Sequence, residues 1–174
     1  MFIEAMNLHP LNPVPCAPAM PLLDWHKGSA VLRKRRRTKQ QQRQAYLVTT
    51  NTEQRAPRFT DLTVAREVIL IMKALHDYGL LHSHAFVLMP DHLHWLITLT
   101  HGSLESAVEQ FKALSARTVQ RKSGAHDWLW QRGFDGDAIR HDESIIHIAR
   151  YIVANPVRAK LVEIIHDYPH WDAE

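Results

Sequence analysis

Two histidines, His92 and His94, stand one residue apart in an otherwise apolar stretch, "VLMPDHLHWLI", at positions 87–97. Side chains alternate between the two faces of a strand, so residues i and i+2 project from the same face. Two neighbouring imidazoles can act as a pair of metal ligands or of general bases. The spacing alone is also compatible with ordinary core or surface histidines, because the chain has 13 histidines and repeats the pattern at His82 and His84.

The turn before the first pair decides which face each pair occupies. A two-residue turn at Pro90 and Asp91 would set Met89 opposite His92 in a hairpin. That register predicts that the second pair, at positions 82 and 84, projects from the opposite face with Leu93 and Trp95. The second pair is then unable to join the same site.

A further polar group lies in the segment "HIARYIVANP". His147, Tyr151 and Asn155 follow one another at intervals of four and would form one stripe of a helix. The apolar side of that helix is predicted to consist of Ile145, Ile148 and Ile152. A phenol with a pKa of about 10 is a poor nucleophile, so it needs a base or a phosphate polarised by a metal. A core-edge aromatic for Tyr151 and a helix cap for Asn155 remain open.

The elements that would position these residues follow from apolar spacing and turn residues. The segment "QAYLVTTNT" predicts a first strand, and the segments "LLHSHAFVLM" and "HLHWLITLT" predict a hairpin. Helices are predicted over 61–78, over 104–121, and from near Asp142 to a stop at Pro156, with a loop at "AHDWLWQR". The order strand, helix, hairpin, helix, loop, helix indicates a single α+β domain with a mostly antiparallel sheet.

Composition limits the class of protein. The chain has 174 residues, 45% of them hydrophobic, which suits one globular domain. Cys16 is the only cysteine, so neither intrachain disulfides nor a cysteine-built zinc cluster holds the fold, and a cytoplasmic location is expected. No apolar run of about 18 residues occurs, which predicts that the protein does not span a membrane.

The positive charge is concentrated near the N-terminus. Residues 27–43 carry eight lysines and arginines and no acid, although the net charge of the chain is only +3. We interpret residues 1–26 as an irregular proline-rich leader, 27–43 as a basic segment and 44–174 as the folded domain. A block such as "RKRRRTK" is typical of a phosphate contact in nucleic-acid binding, and a solvated basic tail is the alternative.

Several of these motifs together carry a family resemblance. The segment "MPDHLHWL", followed about sixty residues later by "YIVANPVRAKLV", resembles the single-tyrosine HUH transposases, most closely the REP-associated tyrosine transposases of bacteria. The pieces "YLVTTNT", "WQRGF" and "AIR" are also similar to that family. The resemblance spans positions 46–168 in the family's order and spacing.

The resemblance implies a ferredoxin-like or RRM-like antiparallel sheet packed against helices, which is the HUH endonuclease fold. It implies that His92, His94 and Asn155 are ligands of Mg²⁺ or Mn²⁺, and that Tyr151 is the nucleophile. The substrate would be single-stranded DNA hairpins of repeated palindromic (REP-like) elements. Attack by the tyrosine would leave a 5′-phosphotyrosine and a free 3′-OH, which supports both cleavage and strand transfer.

One segment departs from the family pattern. Where the family usually has an aromatic residue, then an acid, then a basic residue or histidine, this chain has Asp135-Gly136-Asp137. We interpret Asp137 as a substitute for the acid by a one-residue shift, and His147 as a second supporting residue near the metal.

Phosphate contacts are expected from basic residues on both sides of the site. They are Arg33, Lys34, Arg35, Arg36, Arg37, Lys112, Arg132, Arg140, Arg158 and Lys160. A catalytically inactive hairpin-binding protein of the same fold, and another HUH nuclease such as a replication initiator or relaxase, are the alternatives. A monomer is expected in the cytoplasm at the nucleoid; a homodimer, as formed by related insertion-sequence enzymes, stays open.

Overall fold

The computed structural model describes residues 44–124, 127–140 and 144–173. The predicted leader and the basic segment, residues 1–43, lie outside these ranges. Within them the chain forms one antiparallel sheet with helices on both faces, which confirms the predicted α+β class. No helix in the described part is both long and apolar enough to cross a membrane.

The bounds of the elements follow the chain order. The strands are β1 (Ala45–Asn51), β2 (Leu81–Met89), β3 (His92–Leu99), β4 (Asp135–Ala138) and β5 (Trp171–Ala173). The helices are α1 (Leu62–Asp77), α2 (Leu104–Ser123), α3 (Ile145–Val153) and the single turn α4 (Asn155–Arg158). Short 3₁₀ turns cover Glu53–Arg55, Arg58–Thr60 and Ile165–Asp167.

The strands lie in the order β4-β1-β3-β2-β5, so β3 is the central strand. Each neighbouring pair is antiparallel. Met89 pairs with His92 and Val87 with His94, which confirms the two-residue turn at Pro90 and Asp91. The histidine pair therefore begins the central strand directly after a tight turn.

Helices α1 and α2 cover one face of the sheet. Asp61 caps α1 by accepting hydrogen bonds from the backbone of Thr63 and Val64, and Ser103 caps α2 in the same way. Their apolar sides pack on the odd-numbered residues of β3, of which Trp95 is fully buried and lies 5.1 Å from Phe111, centroid to centroid. This core takes the odd-numbered side chains of β3, so the even-numbered ones must face the other way.

Helix α3 covers the opposite face. Ile152 and Ala149 are buried there against Val87 and Leu96, and Ile145 and Ile148 pack at the margin, as predicted. Because Leu96 belongs to the even-numbered side chains of β3, His92 and His94 project from the same face that α3 covers. The predicted tyrosine helix and the histidine pair thus share one side of the sheet.

The predicted placement of His82 and His84 is wrong. A bulge between Ser83 and Ala85 shifts the register, and His84 Nε2 lies 2.8 Å from Oγ1 of Thr98 on the face of the first histidine pair. Thr98 is four residues from His94, or about 13 Å along a strand. Distance along the strand, not a difference of face, therefore separates the two pairs.

The end of α3 also differs from the prediction. The helix begins at Ile145 rather than near Asp142, which lies outside the described residues, and it ends at Val153 rather than at the proline. Pro156 instead lies in the first turn of α4. Backbone N–H groups in the first turn of a helix have no partner within the helix, so the missing N–H of proline costs no hydrogen bond there. Asn155 therefore starts a new short turn directly after α3.

Strand β4 was not predicted. It pairs with β1 so that Asp137 lies opposite Leu47 and Asp135 opposite Thr49. All four of its residues are exposed, so backbone pairing at the sheet edge holds it in place. The sequence "DGDA" has no alternation of apolar and polar residues and gave no signal for a strand.

Candidate active site

The two histidines of β3 lie against one another at the start of the strand. Their ring centroids are 4.8 Å apart, with the planes at 86°. Both side chains are partly buried, so the pair is in contact with solvent without being fully exposed. A pair of imidazoles held at this separation is suited to a shared ligand.

Each imidazole is oriented through its Nδ1 atom. His92 Nδ1 donates to Oδ1 of Asp91 at 2.6 Å, and His94 Nδ1 lies 2.9 Å from Oγ1 of Thr49. An ionised carboxylate only accepts hydrogen bonds, so the proton of neutral His92 resides on Nδ1 and the lone pair on Nε2. Metal-bound histidines in proteins are supported in this way by a carboxylate or another polar group.

The protonation of His94 favours metal binding. Burial of the ring, and then the electrostatic influence of the neighbouring His92 and Arg55, lower the pKa of His94 to about 4. The imidazole is therefore neutral at physiological pH, and its lone pair is available to a cation.

The donor set fits a divalent ion. Both rings have an outer partner on Nδ1, and with the proton on Nδ1 each Nε2 has a lone pair for a cation. No group of three His, Cys, Asp or Glu side chains that could hold a metal occurs in residues 44–124, 127–140 and 144–173. Asn155, the predicted third ligand, is half-buried at the start of α4, and its amide oxygen is a group that Mg²⁺ and Mn²⁺ accept.

Tyr151 lies on the solvent side of α3 and is 57% exposed. The guanidinium carbon of Arg158, on α4, lies over its ring at 4.3 Å from the centroid. Ala154, the residue between α3 and α4, keeps right-handed helical backbone, so Arg158, seven residues after Tyr151, stays on the same side as the tyrosine. The phenol is thus accessible to a large substrate while its ring is held by a cation.

The tyrosine borders a cleft of about 680 Å³ between α3 and the β4 edge of the sheet. Leu47, Asp137, Arg140 and His147 line the same cleft. The structure thus brings together the predicted nucleophile and both predicted supporting residues.

Strand register places this cleft next to the histidine pair. Leu47 lines the cleft, and Thr49, the next residue of β1 on the same face, contacts His94. Two residues of a strand span about 6.6 Å. The tyrosine cleft and the imidazoles are therefore neighbouring positions on one surface.

The Asp-Gly-Asp segment has a structural explanation. The two aspartates of β4 project to the face of the histidines, and Gly136 projects to the opposite face. A Cβ at Gly136 would lie 2.7 Å from Cδ2 of Leu104 and 3.0 Å from Cε2 of Phe134. The glycine therefore provides room for the core, and Asp137 provides a carboxylate to the cleft.

The predicted phosphate contacts fall in several places. Arg132, Arg140, Arg158 and Lys160 are exposed, and Arg140 and Arg158 lie at the tyrosine cleft. Lys112 Nζ instead donates to the backbone oxygens of Gln131 at 2.5 Å and Gly133 at 2.6 Å, and burial lowers its pKa. Arg33, Lys34, Arg35, Arg36 and Arg37 lie outside the described residues.

The sequence analysis missed Thr49, Asp91 and Arg55. Asp91 could have been found, because an acid directly before a histidine is well placed to orient it. Arg55 Nε lies 2.9 Å from Oδ2 of Asp91, although 36 positions separate the two residues, and no local pattern indicates that pair.

Residues 40–155 match the family described as "Transposase IS200 like". A protein of Haemophilus influenzae (strain ATCC 51907 / DSM 11121 / KW20 / Rd), assigned as a REP-associated tyrosine transposase, is 29% identical over 97 residues. That match covers 49% of this chain and 55% of the relative, so the chain spans about half the length of this curated relative.

Two solved structures are similar in fold. One is a REP-associated tyrosine transposase bound to a REP hairpin, with 25% identity and a TM-score of 0.59. That similarity covers 75% of this chain and 76% of the other. The second, from Deinococcus radiodurans R1 and assigned as a transposase, has 22% identity and a TM-score of 0.49, covering 62% of this chain and 87% of the other.

Proposed function

This chain belongs to the IS200-like transposase family, and we propose that it cleaves and rejoins single-stranded DNA at hairpin-forming repeats through Tyr151. The observation that carries the proposal is the placement of Tyr151 and the histidine pair on one face of the sheet, in neighbouring positions. The similarity to a REP-associated tyrosine transposase bound to a REP hairpin supports hairpin DNA as the substrate.

In the proposed reaction the Tyr151 oxygen forms a bond to phosphorus while the bond from phosphorus to the 3′ oxygen breaks. The phenolic proton passes to a base in the cleft, for which His147 and Asp137 are the candidates. The departing 3′ oxygen gains a proton and becomes a 3′-OH. The downstream strand stays attached to the protein as a 5′-phosphotyrosine.

Rejoining reverses these steps with another 3′-OH as the attacking group. The phosphodiester bond is exchanged at each step rather than hydrolysed, so no nucleotide cofactor is needed. Tyr151 recovers its proton when the new strand leaves. The same residues therefore serve cleavage and strand transfer.

We propose Mg²⁺ or Mn²⁺ as the cofactor, held by His92, His94 and Asn155. When bound, such an ion neutralises charge on the non-bridging oxygens of the phosphate. Asp91 and Thr49 orient the two imidazoles toward it. Arg158 holds the ring of Tyr151 and adds positive charge beside the attacked phosphate.

The location and assembly of the protein are part of the proposal. We expect it to act on DNA in the cytoplasm, at the nucleoid, as a monomer. Light scattering of the purified protein, alone and with hairpin DNA, measures the assembly directly. A dimer in both conditions would contradict the monomer.

Cleavage is tested on a hairpin oligonucleotide carrying the flanking repeats of the source genome and labelled at its 3′ end. Wild type with Mn²⁺ is expected to give a covalent protein–DNA adduct on a denaturing gel, and EDTA or Tyr151→Phe to abolish it. Tyr78→Phe is the matched control, because Tyr78 is 63% exposed at the end of α1. An adduct that persists in Tyr151→Phe would refute the nucleophile.

A hairpin-binding protein without catalysis is the second candidate, motivated by the altered Asp-Gly-Asp segment of β4. Tight hairpin binding with no adduct under any metal would establish it in place of the first. A replication initiator or relaxase is disfavoured by the match to transposases.

A further inference from the structure

We infer that Arg55 and Asp91 are positioning residues that hold His92 through a chain of hydrogen bonds, with its Nε2 atom presented to the divalent metal ion. This inference rests on the proposed function, since it assigns a role at the same site. It concerns Asp91, which contacts the proposed metal ligand His92, and Arg55, which contacts Asp91, and not His92 itself.

The contacts form a continuous chain from the histidine to the end of β1. His92 Nδ1 donates to Oδ1 of Asp91 at 2.6 Å, and Arg55 Nε donates to Oδ2 of the same carboxylate at 2.9 Å. Arg55 Nη1 also donates to Oδ1 of Asn51, the residue of β1 that pairs with His92. Each oxygen of Asp91 thus has its own partner, which fixes the plane of the carboxylate and, through it, the imidazole.

The backbone that carries Arg55 is strained. Gln54 has φ of 55° and Arg55 has φ of 54°, in the left-handed region that favours glycine. Two successive non-glycine residues in this region are rare, and such strain persists only when surrounding contacts determine it. The strain is therefore a local cost that the fold retains at this position.

Neighbouring hydrogen bonds dock the strained turn onto the residues just before the histidines. Thr52 donates to the backbone oxygen of Asp91 from its N at 2.9 Å and from its Oγ1 at 3.0 Å. The N of Phe59 donates to the backbone oxygen of Pro90 at 2.9 Å. Thr52 Oγ1 also contacts the oxygen of Ala56 at 2.7 Å, which closes the turn.

Stability alone does not account for this arrangement. The side chain of Arg55 is 52% exposed and that of Asp91 24%, and an ion pair this close to solvent contributes little to folding. The free-energy cost of two non-glycine residues with left-handed backbone exceeds the stabilisation that such an ion pair provides. A positioning role explains the strained turn, because the turn directs the guanidinium of Arg55 to the carboxylate of Asp91.

The first test measures the tautomer of His92 without metal or DNA, by ¹⁵N NMR of the imidazole. Wild type is expected to hold the proton on Nδ1. Asp91→Asn is expected to populate the other tautomer, because an amide can donate as well as accept. A wild-type ring that carries its proton on Nε2, or an unchanged tautomer in Asp91→Asn, would overturn the inference.

The second test measures Mn²⁺ affinity by electron paramagnetic resonance of the free ion. Asp91→Asn is expected to weaken binding about 10- to 100-fold, in the range found for such outer partners. Arg55→Gln is expected to weaken it less, by about 3- to 10-fold, because the guanidinium acts on the imidazole only through Asp91. The double variant should bind no more weakly than Asp91→Asn alone, because residues in series are not additive.

Arg58→Gln is the matched control. Arg58 lies in the same segment and pairs with Asp127 at 3.1 Å, with its side chain 40% exposed. This variant should bind Mn²⁺ as wild type does, and thermal unfolding should show all variants folded. Mn²⁺ binding by Arg55→Gln that equals wild type would overturn the role of Arg55.

The two proposals fail in different ways. A wild-type protein that shows the expected tautomer and Mn²⁺ affinities but no adduct would remove the cleavage function and keep the positioning residues. An adduct that depends on Tyr151, with no effect of Asp91→Asn on tautomer or affinity, would keep the function and remove the positioning residues.

Discussion

The guanidinium carbon of Arg158 lies 4.3 Å from the centre of the Tyr151 ring, although a break in the helix separates the two residues. Ala154 between the two helices keeps right-handed helical backbone, so residues seven apart stay on the same side and can meet. An exposed tyrosine on a helix surface would otherwise sample several rotamers. The contact therefore restricts the proposed nucleophile before DNA binds.

Arg158→Gln removes both the ring contact and the charge beside the phosphate, so it is expected to slow adduct formation at least about 2- to 5-fold, which is the share of an exposed cation–π pair of about 0.5–1 kcal/mol. A single-turnover time course on the labelled hairpin, at saturating protein, measures this rate. Arg150 is an exposed arginine on α3, the helix that carries Tyr151, and Arg150→Gln should leave this rate unchanged. Equal rates in wild type and Arg158→Gln would show that the ring contact has no role in the reaction.

Gly136→Ala is expected to lower the free energy of unfolding by about 1–3 kcal/mol, as for an overpacked core. The added Cβ would lie 2.7 Å from Cδ2 of Leu104, so either β4 or that side chain must move. Urea unfolding of wild type and variant measures the difference.

A double-mutant cycle with Leu104→Ala isolates this clash. The smaller side chain removes the atom that the new Cβ meets, so the double variant should lose less stability than the two single variants added together. Strict additivity would place the cause of the destabilisation elsewhere than at Leu104.

The sequence predicted those parts of the fold that depend on apolar spacing and caps. Asp61 and Ser103 cap α1 and α2 at the starts of the predicted helices, and the turn at Pro90 and Asp91 sets the hairpin register. Side-chain patterns determine these features locally. The shared face of His92 and His94 follows from them.

Other parts depend on backbone geometry that side-chain patterns do not carry. The bulge near His84 is an insertion in the strand, and β4 is held by pairing rather than by apolar residues. The left-handed turn at Gln54 and Arg55 contains no glycine to mark it. The contact of Arg55 with Asp91 could therefore be found only in three dimensions.

Tyr168 is expected to make stability fall at high pH. Its hydroxyl donates to the backbone oxygen of Leu88 at 2.8 Å, and burial, then the charge of Asp91, raises its pKa to about 12. The unfolded chain ionises this group near pH 10, so its contribution is complete below pH 10 and is lost as the pH rises to about 12. The decrease is on the order of 2 kcal/mol.

Urea unfolding of wild type and Tyr168→Phe between pH 8 and pH 11.5 checks this window. The variant should be less stable by about 1 kcal/mol at pH 8, where it lacks the hydrogen bond. Above pH 10 its stability should fall less steeply than that of wild type, so the two curves converge. Parallel curves over this range would contradict the raised pKa of Tyr168.

The basic segment is expected to bind DNA phosphates in the hairpin complex. Replacing Arg35, Arg36 and Arg37 with glutamine should weaken binding at low salt, because fewer counterions are released from the DNA. The slope of log affinity against log salt should become less steep by about 0.7 for each phosphate that is no longer neutralised, or about 2 in total. Fluorescence anisotropy of a labelled hairpin at several salt concentrations measures the slope.

A control with the same change in net charge separates specific phosphate binding from the general field of the protein. Arg66, Arg117 and Arg121 are exposed on α1 and α2, which cover the face of the sheet opposite the histidines. Replacing them with glutamine should leave the slope within about 0.5 of wild type, since no phosphate lies against that face in the proposed complex. If both triple variants reduce the slope equally, or neither does, the basic segment binds no phosphates of its own.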